Sequence, residues 1–237
     1  MSYNAENQPP ASGEHEPLLG RAGDATQRPE QPVIYNVALG TAVVAQAGVW
    51  VLAAIVWGAV FSNNLMLFSA HPLLNSAAIV LFVQAILVVQ PTATKDQKRV
   101  GANWHAALND TAALVLIAGL VIIEYNKFDH GGTHFVSAHA ILGLVTYILI
   151  ALQAIVGITM YFTPNLYGSV DNAKSLYKYH RMSGYVALTL LLATVCAATY
   201  TDFNKNVLKM QLWAVVVSSV LVLVGVGARI KKSKLGF

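Results

Sequence analysis

Charge is what this sequence has least of. Of its 237 residues only 11% are Asp, Glu, Lys or Arg, where a soluble domain carries roughly a quarter. None of them lies between Val33 and Thr94. Water cannot solvate so long an uncharged, apolar stretch, which excludes an ordinary soluble globule and points to a membrane protein. Cysteine is nearly absent as well. The single Cys196 excludes an intrachain disulfide and carries no information about redox compartment. The first 32 residues lack any apolar run that would serve as a signal-peptide core. They are rich in Pro, Gly, Glu, Gln and Asn instead, a composition too polar to bury a core. Residues 1–32 are therefore expected to form a disordered cytosolic tail, followed by a transmembrane domain over 33–230 and a basic cytosolic tail over 231–237.

What is present is a series of long apolar segments. A helix rising about 1.5 Å per residue needs about 20 such residues to cross the hydrocarbon core. Six segments qualify, roughly 34–60, 66–90, 104–125, 134–162, 180–201 and 207–229. They lack the period-two alternation of strands, so the expected fold is all-α, a bundle of six transmembrane helices. Six crossings put both ends of this domain on one side. Arg21, Arg28, Lys95, Lys98, Arg99, Lys174, Lys178, Arg181, Arg229, Lys231, Lys232 and Lys234 all fall on that side, 12 of the 15 basic residues. Lys127, Lys205 and Lys209 fall on the other. The positive-inside bias thus places both termini in the cytosol. In the tail, Glu14-His15-Glu16-Pro17-Leu18-Leu19 has the form of an acidic dileucine signal, so a vacuolar or lysosomal membrane is one expected location, with the plasma membrane or another endomembrane as alternatives.

Four of the seven histidines lie near the starts of four consecutive helices: His71, His105, His139 and His180. Two share a local setting, SAHPLL around His71 and SAHAILGL around His139. The second and fourth helices enter from the non-cytosolic side, so His71 and His139 have matching depth there. The third and fifth enter from the cytosol, so His105 and His180 match at the opposite depth. A single histidine near a helix end is ordinarily interfacial or hydrogen-bonded. One on each of four consecutive helices, matched in depth by topology, is a different matter, because ionisable groups within spans are costly and usually functional. Facing imidazoles from two helices supply both axial ligands of a haem iron. Zinc takes three or four protein ligands, more than either pair offers.

These residues, with the segments FSAHPLLNSAAIVLFVQAILVVQ, NWHAALND and SAHAILGLVTYILIALQAIVGITMYFTP, resemble the cytochrome b561 family over about residues 35–229. The resemblance implies a diheme core in helices two to five holding two b haems. The non-cytosolic haem would lie between His71 and His139, the cytosolic one between His105 and His180. It also implies a transmembrane oxidoreductase that takes electrons from cytosolic ascorbate or a related reductant. Monodehydroascorbate or a ferric chelate would accept them on the far side, and the protein would be a homodimer in the lipid bilayer. Nucleic acid is not among the expected partners.

Substrate contacts are expected at both faces. An anionic donor needs positive charge beside the cytosolic haem, and Lys95, Lys98, Arg99, Lys174, Lys178 and Arg181 flank His105 and His180 in sequence. Two positions depart from the family pattern, Gln90 and Asn103 standing where arginine and lysine are common. On the far side Asp129, His130 and His134 form an Asp-His-x3-His run, a candidate holder of a ferric ion or its chelate. Gln84 and Gln153 are expected to be interhelical hydrogen-bonding partners. Two alternatives stay open: a ferric reductase with a donor other than ascorbate, and a haem-free transporter using the histidines as a proton relay. The relay lacks an ionisable residue at mid-membrane to join its two ends.

Overall fold

The computed structural model describes residues 23–235, so the dileucine-like segment lies outside the described residues. Six α-helices make up most of the described residues: α1 (Ala42–Phe61), α2 (Ala70–Val89), α3 (Lys95–Asp129), α4 (Ala138–Phe162), α5 (Val170–Ala198) and α6 (Leu212–Gly227). Among the described residues there is no strand. The first five helices are long and apolar enough to cross a membrane, which marks a multi-pass integral membrane protein.

The sixth expected span departs from expectation. Its apolar segment yields a helix of only 16 residues, about 24 Å long against a hydrocarbon core of about 30 Å. The N-terminal part of the segment is diverted into a separate turn, Asn204–Leu208, which Lys209 closes in the left-handed conformation (φ 55°). The buried Asn204 side chain holds that turn. Its amide donates to the Thr199 and Met210 carbonyls and accepts from the Met210 N–H.

Helix ends also differ from the hydropathy limits, for a physical reason. Thr94 and Gln97 form a capping box, and Ser169 caps α5 through the Asn172 N–H at 3.1 Å. Lys, Arg and Gln are good helix formers, so α3 and α5 begin about ten residues before His105 and His180. The basic residues expected in loops, Lys95, Lys98, Arg99, Lys174 and Lys178, therefore ride on helical extensions.

Three antiparallel pairs organise the bundle: α1 with α6, α2 with α3, and α4 with α5. Glycine lets α1 and α6 touch. A side chain at Gly48 would meet the Ser218 carbonyl at 2.6 Å, and one at Gly225 would collide with the Ala45 backbone. Thr41 Oγ1 donates to the Gly225 carbonyl at 2.9 Å. The main apolar core joins α1, α2, α5 and α6 through Leu52, Ile79, Val83, Leu87, Leu192 and Val222. Residues 23–32 pack against this end of the bundle. Gln27 is buried, donates its backbone N–H to the Pro91 carbonyl at 3.0 Å, and accepts from the Asn36 amide at 2.9 Å. The part of the expected disordered tail that is described is thus anchored.

Candidate functional site

The four histidines form two facing pairs. The ring centroids of His71 and His139 are 6.2 Å apart with planes at 89°; those of His105 and His180 are 6.4 Å apart at 80°. Two metal–nitrogen bonds of about 2 Å each, plus the distance from each ring nitrogen to its centroid, span about 6 Å. The separations therefore fit one iron between each pair of rings. Ser137 helps to set the first pair, capping α4 through the Ala140 N–H at 3.2 Å and so fixing His139 in the opening turn.

Three of the four rings are held at Nδ1 by main-chain carbonyls. His71 Nδ1 lies 3.0 Å from the Gly119 carbonyl, His105 Nδ1 2.8 Å from the Ala85 carbonyl, and His139 Nδ1 2.9 Å from the Thr194 carbonyl. A carbonyl only accepts, so each Nδ1 carries the proton and Nε2 is left with its lone pair. That is the tautomer an axial ligand needs. Around His71 the shell extends further. Asn75 Nδ2 donates to the His71 carbonyl at 2.8 Å, and the Tyr147 hydroxyl donates to Asn75 Oδ1 at 2.9 Å. Asn109 repeats the first of these contacts at His105, at 2.6 Å. His-x3-Asn in both helices is a sequence signal that was open to reading. The carbonyl partners had none, since every residue has one.

The helices trade these contacts reciprocally. His71 of α2 uses α3 and His105 of α3 uses α2; His139 of α4 uses α5. On α2 the partner carbonyl stands fourteen residues beyond the histidine (71 to 85), and on α3 the interval is the same (105 to 119). Four helical turns separate the two levels, about 21 Å.

At the face where α3 and α5 begin, Lys95, Lys98 and Arg99 are exposed on α3, and Arg99 pairs with Asp96 at 3.4 Å. Lys174 pairs with Asp171 at 3.1 Å, while Lys178 lies over the Tyr179 ring. Arg181 is half-buried and donates to the Lys234 carbonyl. Lys234 itself was not foreseen. Its ammonium donates to the carbonyls of Gln90 and Thr92, each at 3.1 Å. Burial, with Lys231, Arg181 and Lys98 nearby, pushes its pKa down to about 8. Arg229, almost wholly buried, donates to the Asn36 and Leu87 carbonyls at 2.9 and 3.3 Å. Two cations of the C-terminal segment thus stand at the end of α2, where position 90 is an uncharged glutamine. Asn103 accepts from the Tyr161 hydroxyl at 2.9 Å.

The opposite face does not gather the expected Asp-His-x3-His group. His130 folds back on its own helix end, 3.0 Å from the Asn126 carbonyl and 3.7 Å from Asp129. His134 turns to Glu124 of α3 at 3.1 Å. The turn at Gly131 (φ 59°) sends the two imidazoles to different partners. Among the described residues no group of three or more His, Cys, Asp or Glu is arranged to hold a metal ion.

Comparison with known proteins adds family context. A family model described as eukaryotic cytochrome b561 matches residues 70–207, which takes in all four histidines. The mouse (Mus musculus) transmembrane ascorbate-dependent reductase CYB561 is 25% identical over 70% of this chain and 64% of its own length. The Arabidopsis thaliana transmembrane ascorbate ferrireductase 2 is 27% identical, covering 68% of this chain and 71% of that protein. The human lysosomal membrane ascorbate-dependent ferrireductase CYB561A3 is 28% identical over 58% of this chain and 57% of its own length. The chain thus spans just under two thirds of the length of the mouse relative.

Proposed function

Because this chain belongs to the eukaryotic cytochrome b561 family, we propose that it passes single electrons across a membrane. The donor would be a cytosolic small reductant, ascorbate or a relative, and the acceptor a non-cytosolic monodehydroascorbate or ferric chelate. The observation that carries this reading is the pair of facing imidazoles at each level, spaced for one iron, with three of the four held at Nδ1 by carbonyls. His71 and His139 would hold the non-cytosolic haem b, His105 and His180 the cytosolic one. Haem held by these imidazoles would supply reversible one-electron chemistry.

The chain's own residues do the rest. The Gly119, Ala85 and Thr194 carbonyls keep the His71, His105 and His139 rings in one tautomer and one direction, which limits reorganisation when the charge at the site changes. Lys95, Lys98, Arg99, Lys174, Lys178 and Arg181 make the cytosolic mouth electropositive, which raises the local concentration of an anionic donor. On the far side Asp129, His130 and His134 remain the candidates for meeting the acceptor, and the arrangement favours His134 with Glu124. Charge bias supports a topology with both termini cytosolic, six crossings and a four-helix diheme core in α2–α5. The antiparallel seating of α6 along α1 supports α6 as the sixth, short crossing. A homodimer and a vacuolar or lysosomal membrane belong to the same reading, the latter resembling the location named for the human relative.

A visible spectrum tests it. The purified protein should show sharp low-spin b-haem bands on reduction with dithionite, and ascorbate should reduce the haem in stopped flow. Replacing His71 or His139 with Ala should remove the non-cytosolic haem and leave the cytosolic one reducible. Loss of the cytosolic haem alone from either variant would overturn the pairing. Haem bands that dithionite reduces but ascorbate does not would favour the ferric reductase with another donor. Protein without haem bands would return the question to a histidine relay.

A further inference from the structure

Three of the four histidines are held by backbone carbonyls, and the fourth is not. On α4 and α5 the interval seen on α2 and α3 recurs. His180 and the Thr194 that receives His139 are fourteen residues apart (180 to 194), so the reciprocal position on α4 is fourteen residues beyond His139, at 153. Residue 153 is glutamine. Its amide group lies 2.8 Å from His180 Nδ1. Around it the correspondence continues. Gly143, four residues after His139, packs beside Thr194, and Gly184, four after His180, packs beside Gln153, with an added Cβ at 3.7 and 3.9 Å respectively. Gly157 lets the His180 ring lie against α4, a Cβ there meeting Cε1 at 3.1 Å.

The amide admits two orientations. With oxygen towards the ring, that oxygen lies 2.8 Å from Nδ1 and also 3.2 Å from the His180 carbonyl, while the nitrogen donates to Ser183 Oγ and faces the Gly184 N–H at 3.3 Å. Reversed, it donates to Nδ1 and to the His180 carbonyl and accepts from the Gly184 N–H and Ser183 Oγ, so the protein contacts alone favour this form and only iron ligation at Nε2 calls for the other. The reversed form requires the ring proton on Nε2, the only nitrogen left to face His105. His105 already spends its Nδ1 on the Ala85 carbonyl, and the ring separation of 6.4 Å matches the other pair. The oxygen-inward form gives all four imidazoles the same tautomer.

We propose that Gln153 is the positioning residue of His180: its side-chain oxygen takes the place that a main-chain carbonyl holds at the other three histidines. This rests on the haem reading above. The physical consequence is asymmetry between the two levels. An acceptor on Nδ1–H raises the basicity of the ligating imidazole and so stabilises the ferric state. Three of these acceptors cannot be removed by substitution. The fourth can, so the cytosolic centre is the one whose redox poise a single side chain sets. Within the family reaction that centre is the first to receive the donor's electron.

The test is a redox titration of the full-length protein in detergent or nanodiscs, resolving the two haems by their spectra. Gln153→Leu should shift the cytosolic haem towards the ferrous form on the order of tenfold at fixed ambient potential, about 59 mV for one electron. Gln153→Glu, which restores an acceptor and adds charge, should shift it the other way. The His71–His139 haem should not move in either variant. Gln84→Leu is the control for a purely structural amide, since Gln84 pairs with Gln46 between helices at 2.6 and 3.0 Å and touches no histidine; it should move neither haem. If Gln153→Leu keeps both haems with the cytosolic potential unchanged or lowered, or shifts both haems alike, the assignment is overturned. Wild-type protein without two bis-histidine haems would instead overturn the reading beneath it, so the two failures are distinguishable.

Discussion

An imidazole held by its Nδ1–H presents its other nitrogen in one direction, and that local fact governs much of this protein's chemistry. The same rule separates the two histidines of the turn between α3 and α4. His130 spends Nδ1 on the end of its own helix, whereas His134 meets a carboxylate from α3. A carboxylate–imidazole pair keeps a basic nitrogen available for a cation or a proton. The expected outcome is that His134→Ala slows ferric-chelate reduction on the order of tenfold, as much as the His130→Ala, His134→Ala double variant does. His130→Ala alone should leave the rate unchanged. Rates of ferric reduction by pre-reduced protein check this, with the rate of haem reduction by the donor expected to stay constant throughout. Glu124 had no place in the sequence reading, because a lone acidic residue near a helix end looks like interfacial surface until its partner is known.

Helices are where hydropathy and structure agree in kind and differ in extent. The apolar runs identify each helix but mark only the part that suits the hydrocarbon. Caps and propensities decide where the backbone begins to coil, which is why Thr94 and Ser169 start α3 and α5 in charged sequence. The shortening of α6 comes from Asn204, a buried side chain that satisfies three backbone groups at once and ends the preceding turn. Contact between helices follows glycine. The close approach of α6 to α1 rests on Gly225 and Gly48, and neither leaves room for a side chain. Gly225→Val should lower stability by about 1–3 kcal/mol through overpacking. Thermal unfolding followed by the haem band is the measurement. The α2–α5 pairs lie away from this contact, so the visible spectrum of the folded variant should match wild type.

Across the whole molecule the face where α3 and α5 begin collects positive charge from distant parts of the chain. Lys234 comes from the C-terminal segment, yet its ammonium rests on the end of α2 with Lys98, Arg181 and Lys231 nearby. Burial and those like charges hold its pKa at about 8, below the usual lysine value. It is therefore a cation below about pH 8 and loses that charge as pH rises through this value, while arginine stays charged. The second-order rate of haem reduction by ascorbate should accordingly fall a few-fold as pH rises through about 8. Lys234→Gln should give a lower rate on the acidic side and a flatter profile. A profile unchanged by this substitution would remove Lys234 from the donor's path.

The sequence by itself determined the membrane class, the helical fold and which of the four helix-start histidines share a level. Hydropathy and the basic residues are written along the chain, and depth in a bilayer is a one-dimensional property. Pairing His71 with His139 and His105 with His180 needed only that dimension. Tertiary structure alone decided the lateral neighbours: the carbonyls of Gly119, Ala85 and Thr194, the amide of Gln153, the Glu124–His134 pair and the return of Lys234 to α2. A carbonyl belongs to every residue and so has no signature in sequence. Which helix face meets which is settled by packing many side chains at once, and the chain reveals that only when it is folded.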